Sequence, residues 1–385
     1  MMSGKSSPVP LLDVSRSHQT MRGELIEALA AVIDSGKFLF GPEVTELERD
    51  VARLSQVKHA IGCASGSDAL LLAMMALGVG PGDEVILPSF TFFATVSCVT
   101  RLGGTPIFVD IRPDTFNLDP AAVEAAITPR TRAIIPVHLF GQCAEIDKIC
   151  RIATAREIVV VEDVAQAIGA AYQSRPAGSW GQIGCLSFYP TKNLGGMGDG
   201  GMLTAQDDAL TQRLRLLAAH GMQPRYHHQV VGINSRLDTF QAAVLRVKFR
   251  YLPAAVVARQ ANAARYAEMF RQRGVDEEII LPAVDPKAYH VWNQYAIRVR
   301  GERRDALRSH LSEEQIGSEI YYPIPLHRQA CYEHLGWAPG SLPETERACR
   351  EVLNLPIYPE LTVEEQERVV DSIARFYRKS ARMAA

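Results

Sequence analysis

The chain has no uninterrupted apolar run of about 18 residues, the least that would carry a helix across a bilayer. Its first ten residues are polar and lack the apolar centre of a secretory signal. The seven cysteines are odd in number, scattered, and form no Cys-x-x-Cys pair, so a disulfide framework is not expected. Reduced, buried thiols in a cytoplasmic protein are the expectation instead. Charge of one sign is not in excess either: 41 Lys and Arg stand against 43 Asp and Glu, a net charge of −2. That balance offers no electrostatic footprint for nucleic acid. Three catalytic signatures are missing as well: a Gly-x-x-x-x-Gly-Lys-Ser/Thr phosphate loop, a His-Glu-x-x-His zinc helix and a Gly-x-Ser-x-Gly elbow. His227 and His228 are adjacent, so on a strand they would face opposite ways, and no metal site is expected. No repeat or low-complexity tract is present.

What remains is an ordinary globular composition, 47% hydrophobic and 22% charged, over 385 residues. That length points to two domains. Short β-rich runs alternate with amphipathic ones through the first half. Strands are expected at His59–Ala64, Glu84–Pro88, Thr105–Asp110, Ala133–Val137, Ile158–Glu162 and Gly184–Tyr189. Helices are expected at Ser67–Leu77, Phe93–Leu102, Pro120–Ile127 and Ala144–Ala155. This alternation predicts an α/β fold, with a mainly parallel sheet flanked by helices. The unbroken Val159-Val160-Val161 fits a strand covered on both faces. After Gly201 the pattern shifts to helices at Asp207–Ala219, Thr239–Tyr251 and Ala254–Arg273, with Pro253 breaking or kinking the stretch. Strands at Trp292–Val299 and Ser318–Tyr322, a helix at Arg303–Glu313 and a last helix at Val363–Tyr377 suggest a smaller α+β domain. The boundary is placed near residue 250: a large domain over 1–250 and a small one over 251–385.

In an open parallel sheet, ligands lie beyond the carboxyl ends of the strands. Asp163, Gly66, Ser67, His138 and Lys192 all follow predicted strands. A loop lysine by itself is a solvated charge. Lys192, however, sits in the apolar, glycine-rich run Ser187-Phe-Tyr-Pro-Thr-Lys192-Asn-Leu-Gly, where desolvation would lower its pKa and make the amine a nucleophile suited to a Schiff base. Asp163 could simply cap a helix. Yet Glu162 and Asp163 together are costly to bury without a positive partner, and a protonated pyridine nitrogen would be one. Ala64-Ser65-Gly66-Ser67-Asp68 reads as an N-cap or, by the same geometry, as a phosphate cradle. Gly196, Gly198 and Gly201 match Gly-x-Gly-x-x-Gly, but they lead into the strand-like Met202-Leu203-Thr204, not a helix, so a dinucleotide site is rejected.

Six ordered motifs reach beyond these residues: Gly41-Pro-Glu-Val, Ala64-Ser-Gly-Ser-Asp-Ala-Leu, Pro88-Ser-Phe-Thr-Phe, Pro136-Val-His-Leu-Phe-Gly, Gly232-Ile-Asn-Ser-Arg-Leu-Asp and Tyr322-Pro-Ile-Pro-Leu-His. With Val161-Glu-Asp163-Val-Ala-Gln166 and the Lys192 run, the chain from Val9 to Tyr358 resembles the DegT/DnrJ/EryC1/StrS family of sugar aminotransferases. The resemblance implies the type I (aspartate aminotransferase) PLP-transferase fold and pyridoxal 5'-phosphate (PLP) as cofactor. It also implies roles: Lys192 holds the cofactor and shuttles the proton, and Asp163 pairs with the pyridine nitrogen. Gln166 lies on the ring-hydroxyl side, Phe92 stacks on the ring, and Gly66, Ser67 and Ser187 bind the phosphate. Asn234 would reach that phosphate from a neighbouring subunit, making a homodimer with shared sites obligatory. Taken singly, Phe92 could be core, Ser187 a strand end and Asn234 a turn residue.

The same resemblance implies L-glutamate as amino donor and a nucleotide-linked keto-sugar as acceptor. Relatives with histidine in place of the lysine dehydrate or deoxygenate sugars, so Lys192 favours transamination. Gly232-Ile-Asn-Ser-Arg236-Leu-Asp is similar to the subgroup acting on UDP-linked 3-keto-N-acetylglucosaminuronate, where Arg236 could pair with the sugar carboxylate. Tyr321, Tyr322 and His327 are expected to hold the sugar or diphosphate, although a rigid Pro-rich loop would read the same way. A dTDP-linked 3- or 4-keto-6-deoxysugar is the rival substrate. Amination of a cyclic ketone and a PLP-binding regulator without turnover are the remaining alternatives.

Overall fold

The computed structural model describes residues 7–275 and 277–384. In chain order the main elements are α1 (Val14–Ser35), α2 (Pro42–Leu54), β1 (His59–Cys63), α3 (Gly66–Leu77), β2 (Glu84–Pro88), α4 (Ala94–Thr100), β3 (Thr105–Val109), α5 (Pro120–Ala126), β4 (Thr131–Ile134), α6 (Ile146–Thr154) and β5 (Val159–Asp163). Two short strands follow, β6 (Ala171–Tyr172) and β7 (Arg175–Pro176), then β8 (Ile183–Ser187), β9 (Gly201–Ala205), α7 (Asp208–Ala218), α8 (Thr239–Phe249) and α9 (Leu252–Arg273). The rest comprises β10 (Ile279–Ile280), β11 (Ala288–Tyr289), β12 (Tyr295–Val299), α10 (Arg304–Glu313), α11 (Pro343–Glu351), β13 (Val352–Leu355) and α12 (Val363–Ala384).

Seven strands form the central sheet in the order β1-β9-β8-β5-β4-β2-β3. The pairs β5/β8, β4/β5, β2/β4 and β2/β3 are parallel. Strand β9 alone runs against its neighbours β1 and β8. The sheet is therefore mixed but mainly parallel, and helices cover both faces, as the hydrophobic runs of β2, β5 and β8 require. The reversed strand has a structural consequence. Because Ser187 at the end of β8 and Cys63 at the end of β1 both pair with Gly201 at the start of β9, the loop 188–200 leaves and re-enters the sheet at its carboxyl edge. Lys192 is thereby held where α/β proteins bind ligands.

Several expected elements shift for identifiable reasons. The helical stretch is broken, as expected, but just before Pro253: α8 ends at Phe249 and α9 starts at Leu252, with Pro253 in its first turn, where a missing N–H costs nothing. The Trp292–Val299 strand begins only at Tyr295, because Val291 and Asn293 donate their N–H groups to the carbonyls of Gly141 and Phe140. Ser318–Tyr322 is not a strand. Glu319 exchanges one pair of backbone bonds with Asn354, and the chain then turns away through Pro323 and Pro325 toward the ligand edge. Two long N-terminal helices were not expected. Their end signals are nevertheless present: Asp13 caps α1 through the Ser15 N–H, Gly36 closes it in the left-handed conformation (φ +64°), and Pro42 opens α2.

The three-stranded sheet β10-β12-β13 and helices α9 to α12 share one apolar cluster that also takes in Val9, Phe90, Phe116, Val137 and Phe140 from the first half of the chain. A division into domains at Arg250–Tyr251, between α8 and α9, stands as our proposal. It is supported by the separate small sheet.

Candidate active site

The carboxyl edge gathers Asp163 from β5, Lys192 from the β8–β9 loop, the start of α3, the Ser89–Thr95 segment after β2, and Tyr322. Two adjacent acids end β5, and the pleat sends them to opposite faces. Glu162 is fully enclosed. Its carboxylate accepts from the backbone N–H groups of Gly178 (2.9 Å), Trp180 (2.7 Å) and Gly181 (2.7 Å), and it meets His138 Nε2 at 2.9 Å. His138 Nδ1 accepts from the Ala144 N–H (3.1 Å), so the ring proton resides on Nε2 and is donated to Glu162. This acid is internally satisfied and braces the chain behind the site.

Asp163 is buried but less completely answered. Oδ2 accepts from the Thr95 hydroxyl (2.8 Å) and Oδ1 from the Ala165 N–H (3.1 Å). No salt bridge within 4.0 Å reaches it among the described residues. Desolvation pushes its pKa up, opposed by those two bonds and by the charge of Lys192. Across the edge, half-buried Lys192 is pushed down to about 8, chiefly by desolvation and against the pull of Asp163. Its loop is knit in place. Lys192 N–H bonds the Tyr189 carbonyl (2.9 Å), Gly196 N–H the Phe188 carbonyl (2.7 Å), and Asn193 Nδ2 the Val291 carbonyl (2.9 Å). A Cβ at Gly195 would lie 2.3 Å from the Pro190 carbonyl oxygen, so the tight approach needs glycine.

Ser65 caps α3 by accepting from the Asp68 N–H (3.1 Å), which leaves the first helical N–H groups, those of Gly66 and Ser67, facing the edge. A Cβ at Gly66 would stand 2.6 Å from Ser187 Cβ, so glycine lets the helix start and the end of β8 close into one cradle. Ser67 is exposed there. These donors at a helix N-terminus suit a phosphate, and the uncompensated buried Asp163 suits a cation. Helix-start donors beside Ser187, a buried acid without a salt bridge and an amine that acts electrostatically on that acid are the groups a phosphorylated pyridinium cofactor would need.

Phe92 is 58% exposed, and its ring is tilted against that of Tyr322 with centres 6.3 Å apart. Gln166 accepts from the Phe140 N–H (2.7 Å) and donates to the Tyr322 hydroxyl (3.2 Å), fixing its amide beside Asp163. Tyr321 is half-buried next to Tyr322, with ring centres 5.9 Å apart. His327 does not present its ring to the crevice. Its side chain is enclosed, with Nδ1 2.7 Å from Ser89 Oγ and Nε2 3.3 Å from Glu346. In this structure it is a strut tying the Tyr322 loop to the end of β2, and its expected contact with the sugar has no open face to act through. Asn234 and Arg236 do not join the Lys192 crevice of their own chain. Asn234 is exposed, and the Arg236 guanidinium lies 5.7 Å from the exposed Phe40 ring. Thr95, the donor to Asp163, was missed by sequence reasoning. It is 68 residues away in sequence, and no local pattern links the two.

The profile of the DegT/DnrJ/EryC1/StrS aminotransferase family matches residues 19–374. The chain belongs to this family. It is 48% identical over 373 residues to a "pleiotropic regulatory protein" of Geobacillus stearothermophilus, covering 97% of this chain and 100% of the relative. It is 43% identical to UDP-N-acetyl-3-dehydro-alpha-D-glucosamine 3-aminotransferase of Acidithiobacillus ferrooxidans (96% and 98% covered). It is 42% identical to dTDP-3-amino-3,4,6-trideoxy-alpha-D-glucose transaminase of Streptomyces venezuelae (97% and 97% covered). Among solved structures, S. venezuelae DesV in complex with a ketimine intermediate superposes with a TM-score of 0.92 at 42% identity, covering 96% of this chain and 99% of that one. Solved family members hold the cofactor in its PLP and PMP forms. The chain is a PLP-dependent sugar aminotransferase of the type I fold.

A family member with an amine titrating near 8 should show it before any turnover. Cofactor-free protein mixed with PLP should capture it, as trapped by borohydride, at a rate that rises about tenfold per pH unit below 8 and levels above. A midpoint near 10, that of a solvated lysine, would contradict the desolvated setting of Lys192.

Proposed function

We propose that this aminotransferase moves the amino group of L-glutamate onto the 3-keto carbon of a UDP-linked N-acetyl hexosamine, in the uronate form. The observation that carries the reaction type is the pairing of a desolvated Lys192 with the buried, uncompensated Asp163. The balance is simple. The donor loses its C–N bond and gains a carbonyl, leaving as 2-oxoglutarate, while the sugar exchanges its carbonyl oxygen for the amine. No outside oxidant or reductant is needed. When bound, PLP supplies an electron sink for the carbon that loses its proton.

The chain's own residues do the rest. Lys192 Nζ would hold the cofactor and would be the group that takes and returns a proton at the reacting carbon. Asp163 would hold positive charge at the pyridine nitrogen, Phe92 would cover one ring face and Gln166 would lie on the ring-hydroxyl side. Gly66, Ser67 and Ser187 would take the phosphate.

Asn234 and Arg236 act across a dimer interface in this reading. Supporting it, Asn234 is exposed and the half-buried Arg236 sets its guanidinium 5.7 Å from the ring of Phe40 (70% exposed), with Val231 (91% exposed) nearby in sequence, apolar surface of the kind a second copy would cover. The sugar assignment draws on the UDP-3-keto substrate named for the 43%-identical relative. The uronate form rests on Arg236, whose planar fork suits a carboxylate. A dTDP-linked keto-deoxysugar is the second reading, favoured by the Streptomyces relative.

The pyridoxamine form, made with glutamate, should be discharged by a UDP-linked 3-keto-N-acetylglucosaminuronate at least about tenfold faster than by its uncharged or dTDP-linked counterparts, since losing one charged hydrogen bond costs roughly 1.5–3 kcal/mol. Faster discharge by the dTDP sugar would replace the first reading with the second. Discharge only by a non-nucleotide cyclic ketone would remove both. Site sharing has its own check. Inactive Lys192→Ala and Asn234→Ala subunits, mixed and allowed to exchange, should regain activity in one of the two sites of the hybrid. Mixtures as inactive as their parents would contradict a shared site.

A further inference from the structure

Asp163 is addressed by a hydroxyl that itself is addressed by another. Thr95 is wholly enclosed on the first turn of α4, and Thr91 is 3% exposed one turn earlier. Thr95 Oγ1 lies 2.8 Å from Asp163 Oδ2 and 3.1 Å from Thr91 Oγ1. An ionised carboxylate can only accept, so the single Thr95 proton points at Asp163. The Thr91–Thr95 contact can then run only one way, with Thr91 donating. The proton order Thr91 → Thr95 → Asp163 follows from donor counting alone.

The other Asp163 oxygen takes the Ala165 N–H. Together the two bonds fix the carboxylate plane, with one oxygen tied to β5's own chain and the other to the helix that follows Phe92. The titratable groups acting on this acid include Lys192 and His138, and neither lies within salt-bridge distance. Thr95 is therefore the one side chain that donates to it among the described residues.

We propose that Thr95, with Thr91 behind it, is a positioning residue that keeps the Asp163 carboxylate oriented and charged toward the ring nitrogen, and so keeps the shared proton on that nitrogen. The proposal rests on the pairing of Asp163 with the cofactor given above. A hydrogen bond to a charged group is lost when Thr95 becomes valine, which has the same shape without the donor. The carboxylate then competes better for the proton, and the ring loses part of its positive charge. Burial already pushes Asp163 in that direction.

The test is the ¹⁵N shift of the pyridine nitrogen in isotope-labelled PLP bound to the full-length protein. In Thr95→Val the signal should move from the protonated position toward the unprotonated one, and half-transamination by glutamate should slow about 10- to 100-fold. Thr95→Ser should restore both, and Thr91→Val should give a smaller shift of the same sign. Should valine not be tolerated, Thr95→Cys, a weaker donor, serves in its place. Asp163→Ala separates the two claims. If that variant leaves the ¹⁵N shift unchanged, the pairing itself is wrong. If it moves the shift while Thr95→Val and Thr95→Cys do not, the pairing holds and the hydroxyl relay is refuted.

Discussion

A carboxylate buried at the end of a central strand, with no salt-bridge partner among the described residues, sets the terms for the rest of this molecule. Burying such a charge unpaired is costly, and the cost is borne only where something positive completes it. The sheet places Asp163 at the carboxyl edge, and the reversed β9 returns the Lys192 loop to the same edge. A buried acid without a salt bridge among the described residues, together with the backbone donors at the start of α3, is what a phosphorylated pyridinium ring would match.

The neighbouring Glu162 shows how the same residue type serves the opposite purpose one position away. Three backbone N–H groups and His138 consume its acceptor capacity, so nothing is left for a ligand. Its role is to hold the 178–181 turn against β5 and to keep the strand end rigid. His327 plays a comparable part on the other side, binding Ser89 and Glu346 so that Tyr322 reaches Gln166. Geometry of this kind is what lets a site be held within small tolerances by residues that never touch substrate.

Much of this was legible in the sequence because it was written locally. The apolar run before Asp163, the small residues at Ser65-Gly66-Ser67, and a lysine among glycines each carry their structural reason within a few positions. The rejection of the Gly196-x-Gly198-x-x-Gly201 fingerprint is matched by the strand that follows it, since Gly201 opens β9 and not a helix. What escaped was non-local. Thr95 gains its meaning from an acid on another strand. His327 reads like a ligand until Ser89 and Glu346 enclose it. Ser318–Tyr322 has strand-like residues, but the prolines that follow pull it from the sheet after a single bridge. Helix α1 is a different case: its Asp13 cap and Gly36 stop are in the sequence, but its apolar face is narrow, with Met21, Leu25 and Val32 buried.

A crystal structure of the protein grown with PLP tests the central claim most directly. The account predicts continuous density from Lys192 Nζ to the cofactor, an Asp163 oxygen within hydrogen-bond distance of the pyridine nitrogen, and the phosphate at the start of α3. Density joined to another lysine, such as Lys248, or a ring bound with its nitrogen turned away from Asp163, would contradict it.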